Sequence, residues 1–216
     1  MNNEIGKNLL YQFETTRALF LNKKDLHPLF EQFKSFISEI NIEKLTVQFE
    51  SEVEFNISEW WTNKEKNIDL DSKLFAILFT YGDLKEKSPQ ALVYGINQIG
   101  APLKKQVETY DLGWHEYAEG YYALPGVNLN FCEVLQKLNY RNLEETPYEG
   151  IDWYELDGRL ELFSTYKFAI AYALHESLNR LLQRKKFTGI NSIMSFHILI
   201  QQYDEDVTPL LLVEQN

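Results

Sequence analysis

Residues 165–186 constrain the fold more than any other stretch of this chain. Phe168, Ala171, Tyr172, Leu178 and Leu182 fall on one side of a helix, and Ile170, Leu174 and Leu181 widen the stripe. An apolar face that broad has to be covered along most of its length. Glu176 precedes Arg180 by four residues, the order that favours an ion pair. Arg184, Lys185 and Lys186 follow where the last carbonyls are exposed, and Gly189 is placed to close the end.

The covering layer is visible as strands. Lys73–Tyr81 (KLFAILFTY) is a run apolar enough to be buried on both faces, and it ends at Gly82-Asp83. Gln90–Ile96 predicts a weaker strand. Phe196, Ile198 and Ile200 alternate, a turn follows at Asp204-Glu205-Asp206, and Leu210–Val213 completes a C-terminal hairpin. Leu45, Val47, Phe49, Val53, Phe55 and Ile57 all occupy odd positions between polar even ones. That period of two predicts a half-buried strand, or a hairpin bent near Ser51-Glu52, with an acidic face in water. Helices are predicted over 5–22 and 26–41, with Asp25 and Pro28 restarting the pattern and His27 at the second start. Another is predicted around Phe131, Val134, Leu135 and Leu138. The stretch 100–127 mixes Gly113, Gly120, Pro125 and Gly126 with aromatics and shows no clear period. The expectation is an α+β fold: a mainly antiparallel sheet of about five strands, with N-terminal helices and a long helix near 165–186 packed on it.

No repeat, low-complexity tract or Gly/Ser-rich linker divides the 216 residues, so a single globular domain over 1–216 is expected, weakest around 143–158. Cys132 is the sole cysteine, which excludes an intrachain disulfide, and its place beside an apolar stripe reads as core. No apolar stretch approaches 18 residues, and Met1-Asn2-Asn3-Glu4 lacks a basic segment leading into an apolar run. A cytoplasmic protein with no membrane partner is the expectation.

Few side chains suggest catalysis. In Trp114-His115-Glu116-Tyr117-Ala118-Glu119, helical spacing would put His115 and Glu119 on one face as metal ligands, with Glu116 as a base. This is the alternative reading, a metal-assisted hydrolase, with His175 as a further candidate ligand. Even a three-histidine site from His115, His175 and His197 can be drawn. The usual zinc-protease string, however, has histidine where this chain has Glu119, and structural roles are preferred. His175 shares a face with the apolar stripe and reads as a core histidine with one satisfied nitrogen. His197, between Phe196 and Ile198, reads as solvent-side or edge. There is no nucleophile elbow and no Gly-rich phosphate loop. No cofactor is expected. The short basic run Arg184–Lys186, in a chain of net charge −11, gives no basis for binding nucleic acid.

The charge itself is unevenly placed. Residues 43–71 hold eight acids and three bases, and residues 143–161 hold seven acids and one base. Outside these windows acids and bases balance. Trp60, Trp61 and Trp153 lie within them, as do Tyr148 and Tyr154. Acids that attract from a distance, beside aromatics that bury on contact, suit a surface for a basic protein. The predicted surface comprises Glu59, Trp60, Trp61, Tyr148, Asp152, Trp153, Tyr154 and Glu155. The function expected is a non-catalytic interaction protein, such as an immunity-type inhibitor of a basic partner. A nucleic-acid mimic is weaker, because the charge is local. The competing reading is that the acids only solubilise two loops whose aromatics anchor them to the core. It turns on whether the windows share a face and whether the tryptophans are exposed.

Overall fold

The computed structural model describes residues 1–66, 71, 73–96, 121–203 and 205–214, with the side chains of 121, 122, 193 and 194 left aside. The N-terminal half is helical. Helix α1 (Asn2–Asn22) is followed by two short helices, α2 (Pro28–Glu31) and α3 (Phe33–Ser38), where the sequence predicted one. His27 starts α2 as expected, its Nδ1 accepting the Leu29 N–H.

The segment predicted as a strand is instead helix α4 (Ile42–Asn56), prolonged by one π-helical turn, Ile57–Trp61. Leu45, Phe49, Val53, Ile57 and Trp61 stand four apart, and all five are buried. A spacing of four is also a multiple of two, so one face of a helix passed for one face of a strand. The other odd positions break the strand pattern: Val47 is 53% and Phe55 60% exposed. The start is set by Asn41, whose side chain accepts the Lys44 N–H at 2.9 Å.

Strands β1 (Leu74–Tyr81), β2 (Gln90–Ile96) and β3 (Tyr121–Asn128) follow, then a 3₁₀ segment, Asn130–Leu138, in place of the predicted α-helix. A short α5 (Tyr140–Leu143) and a 3₁₀ turn, Trp153–Glu155, lead into α6 (Arg159–Gln183). Strands β4 (Ser192–Gln202) and β5 (Thr208–Glu214) form the predicted hairpin.

The sheet order is β3-β2-β1-β4-β5. It is mixed: three pairings are antiparallel, and β1 runs parallel to β4 at its centre. Helix α6 packs against both α1 and α4, and the three helices reach β5 and β3 to cover one face. Phe20, Phe49, Phe79, Leu174 and Phe196 belong to this core. The far face carries a smaller buried cluster around Ala76, Leu78, Ile96, Leu199 and Val207. So β1 is buried on both sides, as predicted. His197 pairs with Ala76 on that far face and is buried, whereas the sequence suggested solvent.

Helix side chains finish both outer strands. At β3, Pro125 and Gly126 together oppose the single residue Leu92, a bulge that interrupts the ladder. A Cβ at Gly126 would lie 1.7 Å from the Ala91 carbonyl oxygen, so only glycine fits there. The groups left over are met by α4 and its last turn. Asn56 donates to the Gly126 carbonyl at 2.7 Å, Trp61 Nε1 donates to Pro125 at 3.2 Å, and Glu52 accepts the Asn128 N–H at 2.7 Å. At β5, the Asn2 side-chain amide donates to the Leu212 carbonyl and accepts its N–H, both at 2.9 Å, as a neighbouring strand would.

Candidate functional site

The two acidic windows end up in different structural roles. The first is mostly α4 and its continuation, and most of its described acids are paired. Arg180 takes Glu43 with two nitrogens, at 2.6 and 3.0 Å, and lies 3.6 Å from Glu50. Arg184 reaches Glu50 at 2.6 Å and Glu54 at 2.8 Å, and Lys186 adds Glu54 at 2.9 Å. The basic end of α6 therefore serves α4 more than its own carbonyls, and Arg180 turns to α4 rather than to the predicted Glu176. Hydrogen bonding to Arg180 holds the Glu43 carboxyl below its usual value, and Lys186 does the same for Glu54. Glu59 pairs with Lys66 and Asp71 with Lys64, both at 2.7 Å.

The second window precedes α6 at the opposite end. From Arg159 to Arg180 the helix rises about 30 Å at 1.5 Å per residue, so the windows do not form one surface. Lys23 gathers Asp157 and Glu161 here, each at 2.7 Å, and its ammonium is raised by those hydrogen bonds. Glu144, Glu145, Glu149, Asp152 and Glu155 are exposed and have no ion pair among the described residues. Two serve the local backbone: Glu149 accepts the Glu145 N–H, and Asp152 accepts the Tyr154 N–H.

The aromatics divide differently from the acids. Trp61 is buried, edge-on to Phe79 at 6.2 Å. Trp153 is 0% exposed, stacked on Tyr154 at 4.0 Å and on Phe163 at 5.8 Å. Neither indole can touch a partner in this conformation, a correction to the surface read from the sequence. Both are large apolar bodies needed to fill the core where a helix turn meets it. Trp60 remains 37% exposed, with Lys66 over its ring at 4.8 Å. Tyr148 is half-buried, edge-on to His27 at 5.9 Å. Tyr154 is exposed, and so are Tyr140, Leu160 and Tyr203, which the sequence reading did not single out.

Tyr154, Leu160 and Tyr203 border a cleft of about 440 Å³ at the carboxyl ends of β1 and β4. The backbone beyond β1 and the backbone beyond β4 diverge toward β2 and β5, which opens a crevice between adjacent parallel strands. Leu160, Phe163, Ser164 and Lys167 of α6 form one wall at i, i+3, i+4 and i+7. Gly82 lets the Tyr203 ring approach from the other side, since a Cβ there would stand 3.3 Å from Cδ2. Lys85 is buried within, 2.9 Å from Asp83 and 3.1 Å from the Tyr154 hydroxyl, with Trp153, Tyr154 and Phe163 around its ammonium. Burial acts to lower this ammonium, but the hydrogen bonds to Tyr154 and Asp83 outweigh it and raise it.

The remaining sequence candidates fall as follows. His115, Glu116 and Glu119 lie outside the described residues. His175 is a core histidine: Nδ1 faces the Leu210 carbonyl at 2.6 Å, and burial lowers its basicity. A Cβ on Gly6 would come within 2.5 Å of Nε2, so the ring is packed on both sides. Among the described residues no group of three His, Cys, Asp or Glu side chains is placed to share a metal ion. Cys132 is buried, which pushes its thiol well up and away from nucleophilic use. Of the described helices, none is long and apolar enough to cross a membrane. No family model, curated protein or solved structure matches the chain.

Proposed function

We infer that this is a non-catalytic, cytoplasmic interaction protein that binds a basic protein partner in the manner of an immunity-type inhibitor. The contact surface is the ridge formed by the second window rather than both windows together. One observation carries the reading: Glu144, Glu145, Glu149, Asp152 and Glu155 are exposed without ion pairs, while the first window's acids are largely paired within the fold. Unpaired carboxylates keep their long-range attraction for a cationic protein, and paired ones lose most of it. Tyr140 and Tyr154, whose rings lie 6.4 Å apart, add exposed aromatic area for close contact.

The test is affinity capture from extract of the source cells at low and high salt. Three immobilised baits are compared: the native protein, a ridge variant (Glu144→Gln, Glu145→Gln, Glu149→Gln, Asp152→Asn, Glu155→Gln) and a Glu50→Gln/Glu54→Gln variant. A basic protein retained at low salt, released by high salt and lost only with the ridge variant is the expected result. Equal capture by the ridge variant would overturn the proposal.

A further inference from the structure

We propose that the cleft beyond β1 and β4 is a binding site for a small organic anion carrying a flat apolar ring. The inference goes beyond the partner reading and uses none of the ridge acids.

Three features favour an anion. First, the described charges lining the cleft are Asp83, Lys85, Arg159, Lys167 and Glu205, which leaves one net positive charge in a chain of net −11. Second, the pairing inside the cleft is incomplete in one direction only. Lys85 is matched by Asp83 and Lys167 by Glu205, whereas Arg159 has no carboxylate partner among the described residues. Its guanidinium lies over the Tyr154 ring at 5.3 Å, an arrangement that leaves its planar donors free for an oxyanion. Third, Arg159 is the first residue of α6, and the N-cap Gly158 supplies no capping side chain. The positive end of a 25-residue helix thus adds to the same corner.

The ring is indicated by the walls. Tyr154, Leu160 and Tyr203 are all exposed and all line the cleft, with Phe163 half-buried behind them. Solvent-facing aromatics gathered around a concavity of about 440 Å³ describe a small-molecule site better than a protein surface at rest. Trp153 backs the wall without reaching the opening.

Titration followed by protein-observed NMR tests this with 2-naphthoate, indole-3-acetate and phenyl phosphate. Neutral 2-naphthamide and cationic 2-naphthylmethylamine serve as matched controls. At least one anion is expected to bind at a single site and to shift resonances of Tyr154, Leu160 and Tyr203. The amide should bind at least about tenfold more weakly and the amine not at all. Arg159→Gln should weaken the anion by about tenfold or more at unchanged melting temperature, and Leu160→Glu should weaken it independently. The ridge variant above should bind the anion at least as well as the native protein. No saturable binding of any anion by about 5 mM, equal binding of naphthoate and naphthamide, or an Arg159→Gln variant that binds normally would each overturn the proposal.

Discussion

The two acidic windows have similar composition and opposite fates. The first window opens as a helix whose Glu43, Glu50 and Glu54 face the basic end of another, so their charge is spent on holding α4 to α6. Residues 143–161 became short turns around one buried indole, so much of the charge stays unpaired and points outward. The difference lies in what stands opposite. Arg180, Arg184 and Lys186 line up within two turns beside α4, whereas Lys23 faces the second window as a single cation with two partners already. An excess of acid along a sequence is therefore not yet a surface property. It becomes one only where the fold supplies no counter-charge.

The largest break in this contrast comes from the indole that holds the second window. Trp153→Ala empties a fully buried site and should cost about 3–5 kcal/mol in urea unfolding. Trp153→Phe should cost far less, because the indole N–H has no hydrogen-bond partner among the described residues and nothing polar is orphaned. Next in size is the pairing that distinguishes the first window. A double-mutant cycle on Glu50 and Arg184 should give a coupling of about 0.2–1 kcal/mol that shrinks in high salt.

The same pairs predict a response to acid. Glu43 and Glu54 are held below the ordinary value of 4.5 in the folded protein, so the unfolded chain takes up their protons first as pH falls. Their contribution is complete above about pH 4.5 and is lost as pH drops through the lower folded values. Glu43→Gln/Glu54→Gln should flatten that part of a stability–pH profile. His175 has the same sign at higher pH: its folded value is depressed below 6.5, so its contribution is complete above that value and declines below it. The smallest effect sharpens the contrast from the other side. Neutralising the five ridge acids should change unfolding free energy by less than about 0.5 kcal/mol per substitution, while altering partner capture.

The elements that were legible carried a signal only one structure satisfies. The run Leu74–Tyr81 is too short for a buried helix and too apolar for a loop, and the stripe of α6 is too long to be anything else. Helix α4 was misread because Leu45, Phe49, Val53 and Ile57 satisfy both periods. The deciding facts, exposure of Val47 and Phe55 and the use of Glu52 and Asn56 at the edge of β3, exist only after folding. The cleft was illegible for a related reason. It is assembled from residues of 82–85 and 153–167 with Gln202, Tyr203 and Glu205, and no local pattern announces that two strands far apart in the chain will run side by side. The hydrolase candidates His115, Glu116 and Glu119 stay where the sequence left them, outside the described residues.

The amide of Asn2 on Leu212 also says something about time. Those residues are 210 positions apart, so their hydrogen bonds close a very long loop. Loop closure of that span is entropically the least favourable and is rewarded only once β4 and β5 are already paired. The contact is therefore expected to form late in folding and to open early. Asn2→Ala should leave the refolding rate nearly unchanged and raise the unfolding rate, by about fivefold if it removes about 1 kcal/mol. How long the native state persists is set in part at the second residue of the chain.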